Sequence, residues 1–420
     1  MAVPKLRFKD FDQDWTGLKI KDLVKSLDAG VSVNSEEVEP QEYEYSVLKT
    51  SCISSGYFDE NERKRVLQDG EIQRLKEPVL DDSILMSRMN TPLLVGMNAY
   101  VFKAPKNTFL PDRLWQLKID NNKTVTRWLA FYLGSDQGLN QIRDLASGTS
   151  NSMKNITKPD VLNIDLFAPQ KEEQTKIASF LSNVDEKISQ LNQKHELLSQ
   201  YKQGMMQKLF SQQIRFKADD GSEFGEWEFI KLNQLGKSYN GLTGKTKDDF
   251  GNGDAYVTYK QIFDNRKINL QKIDKVNIQP HETQNRVIKG DLFFTTSSEI
   301  PEEVAYCSAI LDDFDYPLYL NSFCFGFRPN NQNQLNSNYA SFFFRSNQFR
   351  NTILHLAQGS TRFNISKTAF MDMKIALPRV EEQTKVANFL SVIDQKIEVV
   401  AQQIEQAKTW KKGLLQQMFV

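Results

Sequence analysis

A long phrase occurs twice in this chain without a gap. Asn155–Phe210 reads NITKPDVLNIDLFAPQKEEQTKIASFLSNVDEKISQLNQKHELLSQYKQGMMQKLF, and Asn364–Phe419 reads NISKTAFMDMKIALPRVEEQTKVANFLSVIDQKIEVVAQQIEQAKTWKKGLLQQMF, at a constant offset of 209. The repeat is about half the chain, so the protein is a duplication and not a short-period solenoid. The openings of the halves are paired too. Lys5-Leu-Arg-Phe-Lys9 returns as Gln213-Ile-Arg-Phe-Lys217, and Trp15 as Trp227. Gly30 and Tyr45 stand as far apart as Gly241 and Tyr256, with Lys49 matching Lys260. Between these landmarks the halves diverge, as Ser83–Met97 beside Asp291–Tyr306 shows. Matching frames around unlike interiors predict one scaffold carrying two different readers.

Each half begins with a mixed block. Strand-like runs are expected at Tyr43–Thr50, Ser83–Met86 and Ala99–Lys103, then a helix at Val125–Asp144. The second block repeats that order with Ala255–Lys260, Asp291–Thr296, Phe323–Arg328 and a helix at Asn338–Leu356. Each block closes on an apolar run and a proline, Asp165–Pro169 and Lys374–Pro378, and the proline is expected to open a helix.

Beyond the prolines, apolar residues step by four and three. The series are Ile177, Leu181, Val184, Ile188, Leu191, Leu198, Met205, Leu209 and Val386, Leu390, Ile393, Ile397, Val400, Ile404, Ala407, Leu414, Met418. That is the seam of a left-handed coiled coil. Two seams in one chain most simply bury each other, antiparallel, with a block at either end. The expected fold is thus α+β or α/β: globular domains 1–168 and 213–377, long helices 169–212 and 378–420, and a pseudo-two-fold repeat. Lys202 and Lys411 share one seam position, and either snorkel or set register and meet a partner. Gly204 and Gly413, each costing about 1 kcal/mol in a helix interior, predict close packing there, with another protein as a candidate source.

Composition limits the chemistry. The chain has 53 basic and 53 acidic residues, so nucleic-acid binding must rest on local patches or shared contacts. Cys52, Cys307 and Cys324 lack metal-site spacing and suit a reducing cytoplasm. The start lacks a signal sequence, and no run is apolar enough to span a bilayer. Gly244-Lys245-Thr246 resembles a phosphate loop, but Tyr239 stands where the Walker motif needs glycine. Three scattered histidines make neither a triad nor a zinc site. No catalytic, cofactor or metal residue is expected in this chain.

Polar loops at matched places are the candidate DNA contacts. In the first half they are Lys49, Thr50, Arg88, Asn90, Thr91, Ser147, Thr149, Ser150 and Asn151; in the second, Lys245, Lys260, Thr296, Ser297, Ser298, Ser360, Thr361 and Arg362. Arg and Asn side chains fork onto base edges, while Ser, Thr and Lys hold phosphates. The helices supply the candidate partner and coiled-coil contacts Gln174, Ile177, Leu181, Ile188, Lys202, Gly204, Gln383, Val386, Leu390, Ile397, Lys411 and Gly413.

The phrase Pro169, Glu172-Glu173-Gln174, Ile177-Ala178, Phe180-Leu181, Asp185-Glu186-Lys187-Ile188 resembles the conserved regions of type I restriction–modification specificity subunits. Its second copy is Pro378, Glu381-Glu382-Gln383, Val386-Ala387, Phe389-Leu390, Asp394-Gln395-Lys396-Ile397. The resemblance implies a non-catalytic subunit in which two unlike target-recognition domains each read half of a bipartite, asymmetric duplex DNA target. It further implies two methyltransferase subunits that modify adenines and restriction subunits that cleave, with S-adenosylmethionine, ATP and Mg2+ held by those partners. A duplicated scaffold that binds proteins and not DNA is the competing reading.

Overall fold

The computed structural model describes residues 3–148, 152–359 and 361–420. They form two compact units, Met1–Asn192 with Gln402–Val420, and Gln193–Ala401. This partition departs from the expected four segments. The long helices run Lys171–Phe210 and Val380–Met418, and neither is a body of its own. The beginning of each belongs to the unit it follows, and its end to the other unit. The seam residues explain why: they find burial in globular cores as well as along a helix.

In the first unit an antiparallel sheet orders strands Val24–Ala29, Leu114–Ile119, Ser83–Ser87 and Asn98–Val101. A second sheet orders Arg63–Val66, Tyr45–Leu48 and Thr108–Phe109, the last pair parallel. Strand Thr16–Lys19 pairs antiparallel with Asp165–Ala168, so the block's first and last strands close it just before the helix. The expected helix Val125–Asp144 is two helices, Thr126–Gly134 and Asp136–Asp144. Ser135 divides them: its backbone is extended (ψ 159°) and its hydroxyl accepts from Gly138 N. Ile177, Leu181, Val184 and Ile188 share one core with Trp128, Leu129 and Phe131, and with Leu414, Met418 and Phe419.

The second unit repeats the plan. Its antiparallel sheet orders Gly236–Asn240, Cys324–Pro329, Leu292–Thr295 and Cys307–Ala309. The companion sheet orders Asp274–Val276, Phe250–Val257 and Leu318–Leu320, again with a parallel last pair. Glu228–Lys231 pairs with Lys374–Leu377 as the closing ladder. Ser346 divides Ser337–Phe343 from Asn347–Leu354, as Ser135 does in the first unit. The strand expected through Lys260 stops at Val257, because Thr258 caps a helix Tyr259–Asp264. The repeated glycines are places of close approach: a Cβ at Gly30 would lie 1.7 Å from Leu110 O, and one at Gly241 2.0 Å from Asn321 O.

The repeated phrase bolts each block to its helix. Arg7 grips Glu173 through Nε and Nη2, both at 2.8 Å, and Arg215 grips Glu382 at 3.0 and 2.7 Å. Both carboxylates are 1% exposed. Gln174 Oε1 accepts from Thr124 Oγ1 at 2.7 Å and Val125 N at 2.8 Å, while its Nε2 donates to Pro169 O. Gln383 Oε1 accepts from Asn336 N, and its Nε2 donates to Gln334 O and Pro378 O, all at 2.9 Å. Gln174 and Gln383 are therefore internal fasteners, which corrects their assignment as partner contacts. The prolines, too, sit two residues ahead of the helices and not in the first turn.

Further along, Asp185 takes three donors: Lys411 Nζ at 2.5 Å, Arg127 Nη2 at 2.9 Å and Tyr57 Oη at 3.1 Å. In the second unit Asp394 takes Lys202 Nζ at 2.5 Å and Arg266 Nε at 3.1 Å. Lys202 and Lys411 thus answer the carboxylate of the opposite copy of the phrase and do not snorkel. The chain itself does not pack against the helix glycines. Nothing among the described residues lies within 4 Å of a Cβ built at Gly204, and at Gly413 only the side chain of Gln417 comes as near as 4.0 Å. Among the described residues, no helix is long and apolar enough to cross a membrane.

Arg215→Ala leaves Glu382 buried without its counter-charge, a loss of about 3–5 kcal/mol. The expected result is faster hydrogen exchange at low urea in the peptides of 380–401, with exchange in Leu114–Ile119 unchanged. Equal deprotection of both units would contradict the local clamp.

Candidate nucleic-acid interface

Some of the polar loops meet in each unit at a short ladder. In the first unit Met89–Asn90 pairs antiparallel with Lys154–Asn155, and Ser147 bridges Asn155 on the other side. In the second, Ser297–Ser298 pairs with Phe363–Ile365, which pairs with Ala357–Gln358. Two backbone hydrogen bonds recur around these ladders. Ile156 N donates to Arg88 O (3.0 Å) and Arg88 N to Arg113 O (3.1 Å); Ile365 N donates to Thr296 O and Thr296 N to Phe323 O, both at 3.0 Å. Arg88 and Thr296 thus hold equivalent places, as do Arg113 and Phe323. The backbone is common and the side chains are not.

Around the first ladder, Arg88 is half-buried. Its Nε is shielded from solvent and has no hydrogen-bond partner among the described residues. Asn90 Nδ2 donates to Ser87 Oγ at 3.3 Å, and Asn90 Oδ1 accepts from Thr91 N, leaving the Thr91 side chain exposed. Ser147 is exposed. Thr149, Ser150, Asn151 and Ser360 lie outside the described residues. Lys49 and Thr50 lie beside the other sheet of the unit, at the start of the 3-10 helix Thr50–Ile53 that follows strand Tyr45–Leu48, and the Lys49 ammonium lies 2.5 Å from Glu37, which also binds Lys64. The Lys49 pKa is raised by that hydrogen bond, against an opposing effect of burial.

Around the second ladder, Thr361 and Arg362 are exposed. Lys260 is freely exposed on its helix and pairs with Asp264 at 2.8 Å. Tyr259, beside it, donates from its hydroxyl to Ser297 O at 2.8 Å and ties that helix to the ladder. Thr296 Oγ1 donates to Phe323 O at 2.8 Å. Ser297 and Ser298 are buried: Ser297 Oγ accepts from Arg362 Nε at 3.2 Å, and Ser298 Oγ donates to Glu303 at 2.8 Å. They are supports and not contact residues.

Lys245 leaves the candidate interface. Its side chain is 3% exposed, and its ammonium is spent on Glu282 and Asn277 O. The Glu282 carboxyl is held down at about 2 by Lys245, then by Gln284 and Gln279 N. Other cations of this unit are spent as well. Arg328 forks onto Asp291, while Arg345 and Arg350 donate to backbone carbonyls, and burial pulls the Arg345 pKa down to about 10. Phe323 and Arg113 escaped the sequence reading because nothing marks a lone exposed residue in a turn. Their one signal is that each lies in the turn before the same sheet strand, Cys324–Pro329 or Leu114–Ile119.

Two equal units, each presenting its own side chains from a shared frame, define a duplicated recognition fold. The family model for the type I restriction modification DNA specificity domain matches residues 12–200 and again 225–409, and the chain belongs to that family. It is 24% identical to the MjaVIII specificity subunit of Methanocaldococcus jannaschii, over 96% of this chain and 91% of that one. It is 23% identical to the MjaX specificity subunit of the same organism, over 98% and 94%. In fold it is similar to the type I restriction–modification S subunit of M. genitalium, with a TM-score of 0.56, 17% identity and coverage of 100% and 99%.

Lys245→Met is expected to leave the salt dependence of duplex binding as it is, because a buried ammonium holds no phosphate. Losing a phosphate contact lowers the slope of log affinity against log salt by about 1. Anisotropy titrations of the assembled complex between about 50 and 200 mM salt read that slope.

Proposed function

We propose that this chain is the specificity subunit of a type I restriction–modification complex, with each unit reading one half of a bipartite, asymmetric DNA target. One observation carries the reading: a single backbone frame presents unlike side chains twice, in two regions that both match the DNA specificity domain. The first reader uses Arg88, Asn90, Thr91 and Ser147 with Arg113. The second uses Lys260, Thr361 and Arg362 with Phe323. A pure protein scaffold does not account for ladders that keep their backbone and exchange their side chains.

The long helices act as the spacer. Asp185 meets Lys411, and Lys202 meets Asp394, so each ion pair joins the first half of one helix to the second half of the other. An antiparallel coiled coil has that pattern. It sets the unread gap between the half-sites and leaves the helix surfaces for two methyltransferase subunits. Those partners hold S-adenosylmethionine and flip the adenine to be methylated. Restriction subunits hold ATP and Mg2+ and cleave. This chain is non-catalytic and works in the cytoplasm, where its buried free cysteines stay reduced. Partners share the phosphate contacts, which reconciles DNA binding with a net charge of zero.

Replacing Met1–Phe167 by the corresponding block of another family member is expected to change one half-site and spare the other. Mapping of methylated adenines reads this, and a change in both halves or in neither refutes it. Inserting one helical turn at Ser211 is expected to lengthen the unread gap; an unchanged gap removes the ruler role of the helices.

A further inference from the structure

Arg362 is exposed but not loose. Its Nε donates to Ser297 Oγ at 3.2 Å, and Ser297 is itself buried in the ladder opposite Asn364. The guanidinium carbon lies 5.7 Å from the ring centre of Phe323, within cation–π range. Phe323 is 57% exposed, and its backbone is pinned. Its carbonyl accepts from Thr296 N and Oγ1, and its own N–H donates to Asn321 Oδ1. One neighbour therefore anchors Nε, and a second lies beside the guanidinium. With Nε committed, the donors left are those on Nη1 and Nη2, which form an end-on fork.

A fork of that width matches the O6 and N7 acceptors of guanine in the major groove, a pattern no other base presents there. A phosphate accepts the same fork but needs neither the Ser297 anchor nor the neighbouring ring, and flexible lysines would serve. Resting on the specificity reading above, we infer that Arg362 reads a guanine in the second half-site, with Ser297 and Phe323 as its positioning residues. The equivalent ladder of the first unit has Lys154 where this one has Phe363, and Arg113 where this one has Phe323. Met153 stands where this one has Arg362, so the first unit does not repeat this fork at that place.

The test uses the chain assembled with its methyltransferase subunits and a pool of random-sequence duplexes, bound fractions being selected and sequenced. The wild type is expected to return a two-part consensus. For Arg362→Ala one G·C pair of the second half becomes degenerate while the first half is retained, and affinity for the wild-type consensus falls roughly 5- to 150-fold. Arg362→Lys keeps the charge without the planar fork and restores the guanine only in part; Phe323→Ala relaxes the same position partially. Uniform weakening of Arg362→Ala with every position of the consensus retained identifies a phosphate contact and overturns the inference alone. No consensus from the wild type sinks the specificity reading and this inference with it.

Discussion

Two buried carboxylates hold this architecture together. Glu173 and Glu382 stand in the first turn of a long helix, almost without solvent, and each is met by a two-pronged arginine from the opening of its own block. A charge in that position is tolerable only if its partner arrives, so the helix and the block form together or not at all. The neighbouring glutamine extends the same logic to uncharged groups. It satisfies backbone and side-chain donors at the start of the next helix in the block and returns its own donors to the proline carbonyl. These fasteners set the start of each long helix on its own globular block.

The second set of ion pairs works differently. Asp185 and Asp394 each collect a lysine from the other long helix and an arginine from the globular block, and in both units a phenylalanine ring lies under the cations. The arginines are not equivalent: Arg127 comes from a helix and Arg266 from the segment after another. Duplicated halves have thus kept the electrostatic arrangement while changing its source. Constraint acts on the charge at that spot and not on the residue that brings it. The ladders show the converse, with the backbone kept and the chemistry released.

Charge neutrality takes on a more specific meaning in the structure. Many cations are already answered. Lys49 and Lys64 share Glu37, Lys245 is closed in with Glu282, Arg328 grips Asp291, and Arg345 and Arg350 serve backbone carbonyls. Counting basic residues therefore overstates what a polyanion would meet. A small group at the ladders remains, which favours selectivity over general adhesion to nucleic acid.

The repeat, the long helices and the family could all be read from the sequence, because period and apolar spacing are one-dimensional. The seam positions Ile177, Leu181, Val386 and Leu390 followed from steps of three and four. The division of the late helices was harder, since Ser135 and Ser346 sit inside good helical patterns and only their extended backbone turns them into caps. Which polar residues face outward lay beyond reach. Lys245, Ser297 and Gln174 resemble Lys260, Thr361 and other surface residues as letters, and burial distinguishes them. Phe323 acquires a role only because a turn distant in sequence lies under Arg362. Periodicity is local and survives in the string of letters; burial and the meeting of separate turns come from how the chain closes on itself.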